Sequence, residues 1–280
     1  MTTVIIPAHN EARVIERLLT RITEDAQQGE LEIIVVANGC TDKTADIAAA
    51  CGPMVRAVSI DTPSKHEAFL AGDRLTNDFP RIYVDADVEI GTEDIRALAE
   101  ALSKPGVLAV GPSRFLESAD SPLLVRWYYD IWQRLPAVRD GLFGRGVIGL
   151  DAAGHGRITA LPRLMSDDLG WSLAFSDSER QVVGQARVVL RLPRTTADLL
   201  RRRTRAATGV AQLESTEGAP SSTARTRPAD LLAMARQEPL MIPRILVFAA
   251  MALAAKWQGS KAARRGDYST WLRDESSRRS

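Results

Sequence analysis

Residues 81–88 read Arg81-Ile82-Tyr83-Val84-Asp85-Ala86-Asp87-Val88. A short apolar, β-branched run stops in two carboxylates spaced i, i+2. In an extended strand, side chains two apart point to the same side, so Asp85 and Asp87 converge where the strand runs out. Aspartate is a common turn residue, and the pair can simply close the strand. The same two hard oxygen donors also suit Mg²⁺ or Mn²⁺ carrying a phosphate-bearing ligand.

The flanking segments supply a sheet for this strand. Residues 3–7, 31–37, 55–60 and 107–110 are short, almost wholly apolar runs, as expected of strands buried on both faces. Helical patterns separate them at 14–22, 44–50, 64–75 and 92–102; in the first, Val14, Ile15, Leu18, Leu19 and Ile22 form one stripe. The alternation predicts an α/β fold, a mostly parallel, Rossmann-like sheet with helices on both faces. Ligands of such sheets bind beyond the carboxyl ends of the strands. The polar ends here are Pro7-Ala8-His9-Asn10-Glu11, Asn38-Gly39-Cys40-Thr41-Asp42 and Asp85-Ala86-Asp87, and the fold places all three on one rim.

Neither G-x-G-x-x-G nor G-x-x-x-x-G-K-[ST] occurs, so the two common phosphate-cradling loops are absent. A bound nucleotide would need its phosphates neutralised by a metal and by Arg or Lys, which gives Asp85 and Asp87 a task.

Beyond residue 111 the periodicity weakens. Trp127-Tyr128-Tyr129-Asp130-Ile131-Trp132 is an aromatic cluster in a chain with only 5% aromatics; it reads as core or a subdomain interface, or as a platform for an apolar or sugar-like ligand. Six glycines fall in 141–156, a stretch expected to hold a short strand at 146–150 and a loop containing His155. Asp167 and Asp168 stand before a helix, where carboxylates either cap the helix or act as a general base. One or two strands are expected in 182–192, and a helix over 196–210 carries Arg201, Arg202, Arg203 and Arg205.

The segment 216–229 is small, polar and proline-bounded, hence a linker or mobile loop. A helix is expected over 231–241. Residues 245–255 are eleven apolar residues between Arg244 and Lys256, too short as a run to span a bilayer and suited to a docking or interfacial helix. The tail after 261 is basic and expected to be partly disordered. The expected domains are therefore 1–215 (halves 1–110 and 111–215), a linker at 216–229, and a helical extension with a basic tail at 230–280.

The bulk properties narrow the function classes. The 280 residues are 45% apolar and 25% charged with net charge +1, which gives no global attraction to nucleic acid. Cys40 and Cys51 form no disulfide framework or metal-site spacing, and a reducing cytoplasm fits. No secretory leader is expected, and no uninterrupted apolar run reaches membrane-span length.

In order, these segments resemble the family 2 glycosyltransferases, inverting enzymes of GT-A fold. The matching pieces are residues 5–11, 34–44, 64–72 (from Ser64-Lys65-His66), 84–87 and Ser166-Asp167-Asp168. The resemblance implies a nucleoside-diphosphate-sugar donor, an acceptor hydroxyl of a sugar, lipid-linked or small molecule, and Mn²⁺ or Mg²⁺ as cofactor. It assigns Pro7, Ala8, His9, Asn10 and Glu11 to the nucleotide loop. Asn38, where many relatives have Asp, and its neighbour Gly39 fall at the nucleobase. Lys65 falls by the base or phosphates. Asp85-Ala86-Asp87 becomes the D-x-D motif, Asp85 toward ribose and metal and Asp87 a direct metal ligand. Asp168, next to Asp167, becomes the catalytic base, and Arg203 and Arg205 diphosphate contacts. Arg202 and Ala206 replace the Gln and Trp of the Q-x-x-R-W signature of processive relatives, so single-sugar transfer is expected. A sugar-phosphate nucleotidyltransferase, or a catalytically silent GT-A-like scaffold, are the alternatives. The enzyme would be cytoplasmic, with residues 230–260 available for a peripheral membrane contact at its inner face or for a dimer.

Overall fold

The computed structural model describes residues 1–162, 167–216 and 226–264. Strands and helices alternate through the first part as β1 (Thr2–Ala8), α1 (Ile15–Thr23), β2 (Leu31–Asn38), α2 (Thr44–Ala49), β3 (Val55–Ile60), α3 (Lys65–Asp73), β4 (Arg81–Val84), α4 (Thr92–Leu102) and β5 (Ala109–Glu117). There follow α5 (Leu123–Arg134), α6 (Pro136–Asp140), β6 (Val147–Leu150), α7 (Ala152–Thr159), α8 (Asp167–Leu173), β7 (Arg180–Arg191), α9 (Thr196–Ser215), α10 (Pro228–Gln237) and α11 (Ile242–Arg264).

The strands form one sheet in the order β3-β2-β1-β4-β6-β5-β7. All neighbours are parallel except those of β6, which runs antiparallel between β4 and β5. Its register positions the site. Arg81 pairs with Leu150 and Val84 with Val147, so the residues just after β4 meet the residues just before β6. The loop ahead of β6 is thereby brought against Asp85, whose backbone N–H donates to the Gly146 carbonyl at 2.7 Å.

Both sheet faces are covered. Ile15, Leu18, Leu19 and Ile22 of α1 and Ile95 and Leu98 of α4 pack on one face, and Ala68 and Phe69 of α3 and Ile158 of α7 on the other. Fully burying an aliphatic side chain of this size contributes roughly 1.5–3 kcal/mol, so the α1 stripe alone is a substantial anchor. A third cluster joins Tyr128, Tyr129 and Trp132 of α5 to Leu199 of α9 and Phe248 of α11.

Several elements differ from the sequence expectation. Strand β5 extends to Glu117 because β7, a single long strand with a bulge opposite Pro112 and Ser113, pairs along its whole length. His155 lies in a helix rather than a loop: Asp151 caps α7 by accepting from Gly154 N–H at 2.7 Å. Its Nε2 faces Asp73 Oδ2 at 3.3 Å. The apolar run 245–255 belongs to a longer helix, because Lys256, Gln258 and Ser260 interrupt the hydropathy without ending the backbone ladder. With the 3-10 turn Pro239–Met241, the stretch Pro239–Arg264 is long and apolar enough to cross a membrane by length and composition. Most of the expected linker (217–225), Ser166 and the basic tail beyond 264 lie outside the described residues.

Candidate active site

Three strand ends and two helix starts meet at a cavity of about 370 Å³. Pro7 comes from the end of β1 and His9 and Glu11 from the loop after it, Asn38 from the end of β2, Asp85, Ala86 and Asp87 from the turn that follows β4 rather than from extended strand, and Lys65 from the first turn of α3. Asp167 and Asp168 at the start of α8, and Arg203 and Arg205 on α9, complete the wall. Ala8, Asn10 and Gly39, expected at the nucleotide, do not line the cavity. Ala8 is fully buried and its carbonyl accepts from Asn38 Nδ2 at 2.9 Å. Asn10 Oδ1 accepts from Thr41 N–H at 2.8 Å and clamps the β1 loop to the β2 loop. Gly39 donates its N–H to Ile60 O at 2.8 Å.

Lys65 is the electrostatic centre. Its Nζ lies 2.7 Å from Asp85 Oδ1 and 3.5 Å from Asp167 Oδ2. Ser64 caps α3 by accepting from Glu67 N–H at 3.3 Å, which fixes Lys65 in the first turn. Phe69, Tyr83 and Trp171 form a ring floor with centroids 5.0–5.2 Å apart, and Lys65 stands 5.3 Å over Phe69. Burial pushes the lysine down, but Asp167, Asp85 and Asp168 together outweigh it and hold its pKa above the ordinary lysine value. Burial pushes the Asp85 carboxyl up; Lys65 opposes this and Asp87 adds to it, leaving it above the ordinary range.

Asp168 is oriented by backbone donors on both oxygens. Gly144 N–H reaches Oδ2 and Leu169 N–H reaches Oδ1, each at 2.8 Å. Gly144 and Gly146 both take positive φ, +64° and +66°, where a side chain costs free energy. A β-carbon on Gly146 would lie 2.5 Å from Val88 Cγ1. These two glycines let the β6 loop approach both carboxylate pairs. Arg145 between them is buried, and its guanidinium donates to the carbonyls of Gly141, Pro112 and Arg139 at 2.8–3.0 Å. Burial, then nearby Arg114, pushes it down to about 9.

The carboxylate pair fits a hard cation. Among the described residues no group of three or more His, Cys, Asp and Glu gathers as a metal cage. Two oxygen-donor residues at a strand end provide a partial shell of the kind Mg²⁺ and Mn²⁺ complete with phosphate oxygens and water. Asn38 Oδ1 is buried in the wall with no hydrogen-bond partner. An orphaned acceptor of this kind costs on the order of 1–3 kcal/mol unless a ligand donor meets it.

The sequence reading did not assign Gly144, Gly146, Arg191 or Arg202, which also line the cavity. The glycine density of 141–156 was the available signal for the first two. Tyr128, Tyr129 and Trp132 are core and cavity wall at once. Arg203 stands 5.7 and 5.9 Å over the Tyr128 and Trp132 rings.

The architecture has solved counterparts. A mannosyltransferase from Pyrobaculum calidifontis, in complex with GDP-Man and Mn²⁺, superposes with a TM-score of 0.60 at 20% identity over 97% of this chain and 82% of that one. Glucosyl-3-phosphoglycerate synthase from Mycobacterium tuberculosis, with Mn²⁺, UDP-Glc and phosphoglyceric acid, gives 0.57 at 20% identity over 79% and 81%. Mannosyl-3-phosphoglycerate synthase from Rubrobacter xylanophilus gives 0.56 at 18% identity over 81% and 77%. No curated protein matches the chain in sequence. Residues 3–153, more than half of the chain, match the family described as Glycosyl transferase family 2. The chain has the GT-A fold and belongs to glycosyltransferase family 2.

Proposed function

We propose that this protein transfers one sugar from a nucleoside-diphosphate donor to an acceptor hydroxyl, with inversion at the anomeric carbon. The observation that carries this reading is the meeting of two carboxylate pairs across one cavity, with Lys65 between Asp85 and Asp167. The donor half is residues 1–110, the acceptor half 111–215, and a helical extension follows over 230–264.

The β1 loop and Asn38 hold the nucleoside, and the unpartnered Asn38 Oδ1 accepts from the base. Asp87, with Asp85, would hold Mn²⁺ or Mg²⁺; when bound, the ion supplies positive charge against the departing diphosphate. Lys65, Arg203 and Arg205 add fixed positive charge on the same diphosphate, which favours the charge-separated transition state. Asp168 takes the acceptor proton, its carboxylate aimed by the Gly144 and Leu169 N–H groups; Asp167 keeps Lys65 in place. Attack from the face opposite the diphosphate inverts the centre. Tyr128, Tyr129 and Trp132 wall the acceptor side.

Fold neighbours recorded with GDP-Man and UDP-Glc make these the first donors to test. A thermal-shift screen of nucleoside diphosphates with Mn²⁺ identifies the base, since a ligand of the native state raises its melting point. Release of the nucleoside diphosphate from the matching sugar nucleotide, with and without candidate acceptors, then tests transfer. Tight metal-dependent binding with no turnover for any acceptor would favour a silent nucleotide-sugar scaffold instead. Release of sugar 1-phosphate together with nucleoside triphosphate on addition of pyrophosphate would indicate nucleotidyltransfer.

A further inference from the structure

Helix α11 has two opposite faces. Phe248, Ala255 and Gly259 are buried. Phe248 stacks on Tyr128 of α5 with ring centroids 4.9 Å apart. A β-carbon on Gly259 would lie 2.8 Å from Ala207 Cβ and 2.9 Å from the Thr208 nitrogen, so α9 and α11 cross closely. On the other side stand Ile242, Leu246, Leu253 and Trp257, 45–68% exposed. Their spacing of i, i+4, i+11 and i+15 makes one stripe along the helix. Only 11% of the most apolar 18-residue window of Pro239–Arg264 is buried.

The charge on this helix has one sign. Residues 239–264 contain no Asp or Glu. Lys256, Lys261 and Arg264 are exposed near its C-terminal end, and Lys261 Nζ stands 5.5 Å over the Trp257 ring. An aliphatic stripe bordered by Trp and cations matches the boundary between acyl chains and anionic headgroups. The helix has the length and composition to span a bilayer, but its inner face is committed to the domain. Spanning would strip Phe248 from Tyr128, part Gly259 from Ala207, and break the Arg244–Asp130 ion pair. A second copy of the chain is a poorer occupant, because α11 carries no carboxylate to pair with its partner's cations.

We propose that the outer stripe of α11 seats the protein on a bilayer containing anionic lipid, with the helix axis along the membrane plane. Ile242, Leu246, Leu253 and Trp257 enter the headgroup–acyl boundary, and Lys256, Lys261 and Arg264 meet lipid phosphates. The inner face of the same helix, through Phe248, Ala252 and Ala255, lines the cavity. The seat therefore holds the cavity about one helix diameter, ~10 Å, from the membrane. The docking stands apart from the chemistry assigned to the cavity.

Flotation of the full-length protein with phosphatidylcholine vesicles, and with vesicles that also contain phosphatidylglycerol, tests this. The protein is expected to float with the mixed vesicles, and the bound fraction to fall as salt is raised. L246N/L253N/W257S is expected to lower vesicle affinity at least about tenfold, while its melting point and its nucleotide-induced thermal shift stay at wild-type values. K256E/K261E is expected to lose the preference for anionic vesicles. The proposal is overturned if wild type floats with neither vesicle, or if the triple variant floats as well as wild type. A wild type that does not float but sediments as a dimer, which the triple variant splits, would overturn it in favour of contact between copies.

Discussion

Lys65 Nζ bridges Asp85 Oδ1 at 2.7 Å and Asp167 Oδ2 at 3.5 Å. One ammonium ties the turn after β4 to the start of α8, and so joins the two carboxylate pairs across the cavity. Without it, Asp85, Asp87, Asp167 and Asp168 face one another and an incoming diphosphate. Lys65→Met is expected to lower kcat/KM by roughly 10–100-fold and to weaken nucleoside-diphosphate binding, with the fold retained. Steady-state kinetics and calorimetric titration check this; unchanged diphosphate affinity would remove Lys65 from the donor site.

The two carboxylate pairs separate by readout. Asp87→Ala is expected to abolish the Mn²⁺ dependence of nucleotide binding, measured by titration with and without the ion. Asp168→Asn is expected to leave that binding intact and to lower kcat by about 10²–10⁴, the usual range for a positioned base. Full transferase activity in Asp168→Asn would move the base elsewhere.

Gly144→Ala perturbs the donor to Asp168 without touching the carboxylate. At φ +64° an alanine costs about 1–2 kcal/mol, and its β-carbon meets the Trp132 ring at 3.2 Å. The expected result is a melting point lower by a few degrees and a reduced kcat with donor KM nearly unchanged. A reduced melting point with wild-type kcat would show that the Gly144–Asp168 bond serves the fold alone.

Arg145 holds the loop that carries both site glycines. Arg145→Met leaves the carbonyls of Gly141, Pro112 and Arg139 without their guanidinium donor. The Gly141 and Pro112 acceptors are buried, each costing about 1–3 kcal/mol when orphaned, and the urea midpoint is expected to fall accordingly. The loss should exceed that of Arg139→Met, whose guanidinium pairs with Asp140 at the surface.

Acid stability should report on Asp73. Burial pushes its carboxyl up, but hydrogen bonds from His155 and Tyr83 and the charge of Arg81 outweigh this and hold it below the ordinary aspartate value. The folded pKa is depressed, so the stabilisation is fully present above the unfolded-state value of about 4. It is lost as the pH falls through the folded value. Urea midpoints measured downward from pH 5 are expected to fall less steeply for Asp73→Asn than for wild type. Parallel curves would show that Asp73 does not drive the acid transition.

The sheet was legible because its signals are local. A strand of β-branched residues closed by Asp85 and Asp87, or a stripe such as Ile15, Leu18, Leu19 and Ile22, declares itself within one window of sequence. The rim followed from the parallel topology, since strands of one direction end on one side. That reasoning placed the β1 loop, Asn38 and Asp85–Asp87 together. It extended too little at α11, where a count of consecutive apolar residues stopped at Lys256 although the helix continues to Arg264.

The sequence by itself therefore determined the order of elements, the rim and which polar residue types stand along it. Tertiary structure alone decided which of them touch. The antiparallel insertion of β6 between β4 and β5 brings Gly146 to Asp85, while the bend before it brings Gly144 to Asp168. Lys65 meets Asp167 across a hundred residues. Such contacts depend on strand register and helix packing, which no local periodicity encodes. The two faces of α11 became distinct only when α5 and α9 covered one of them.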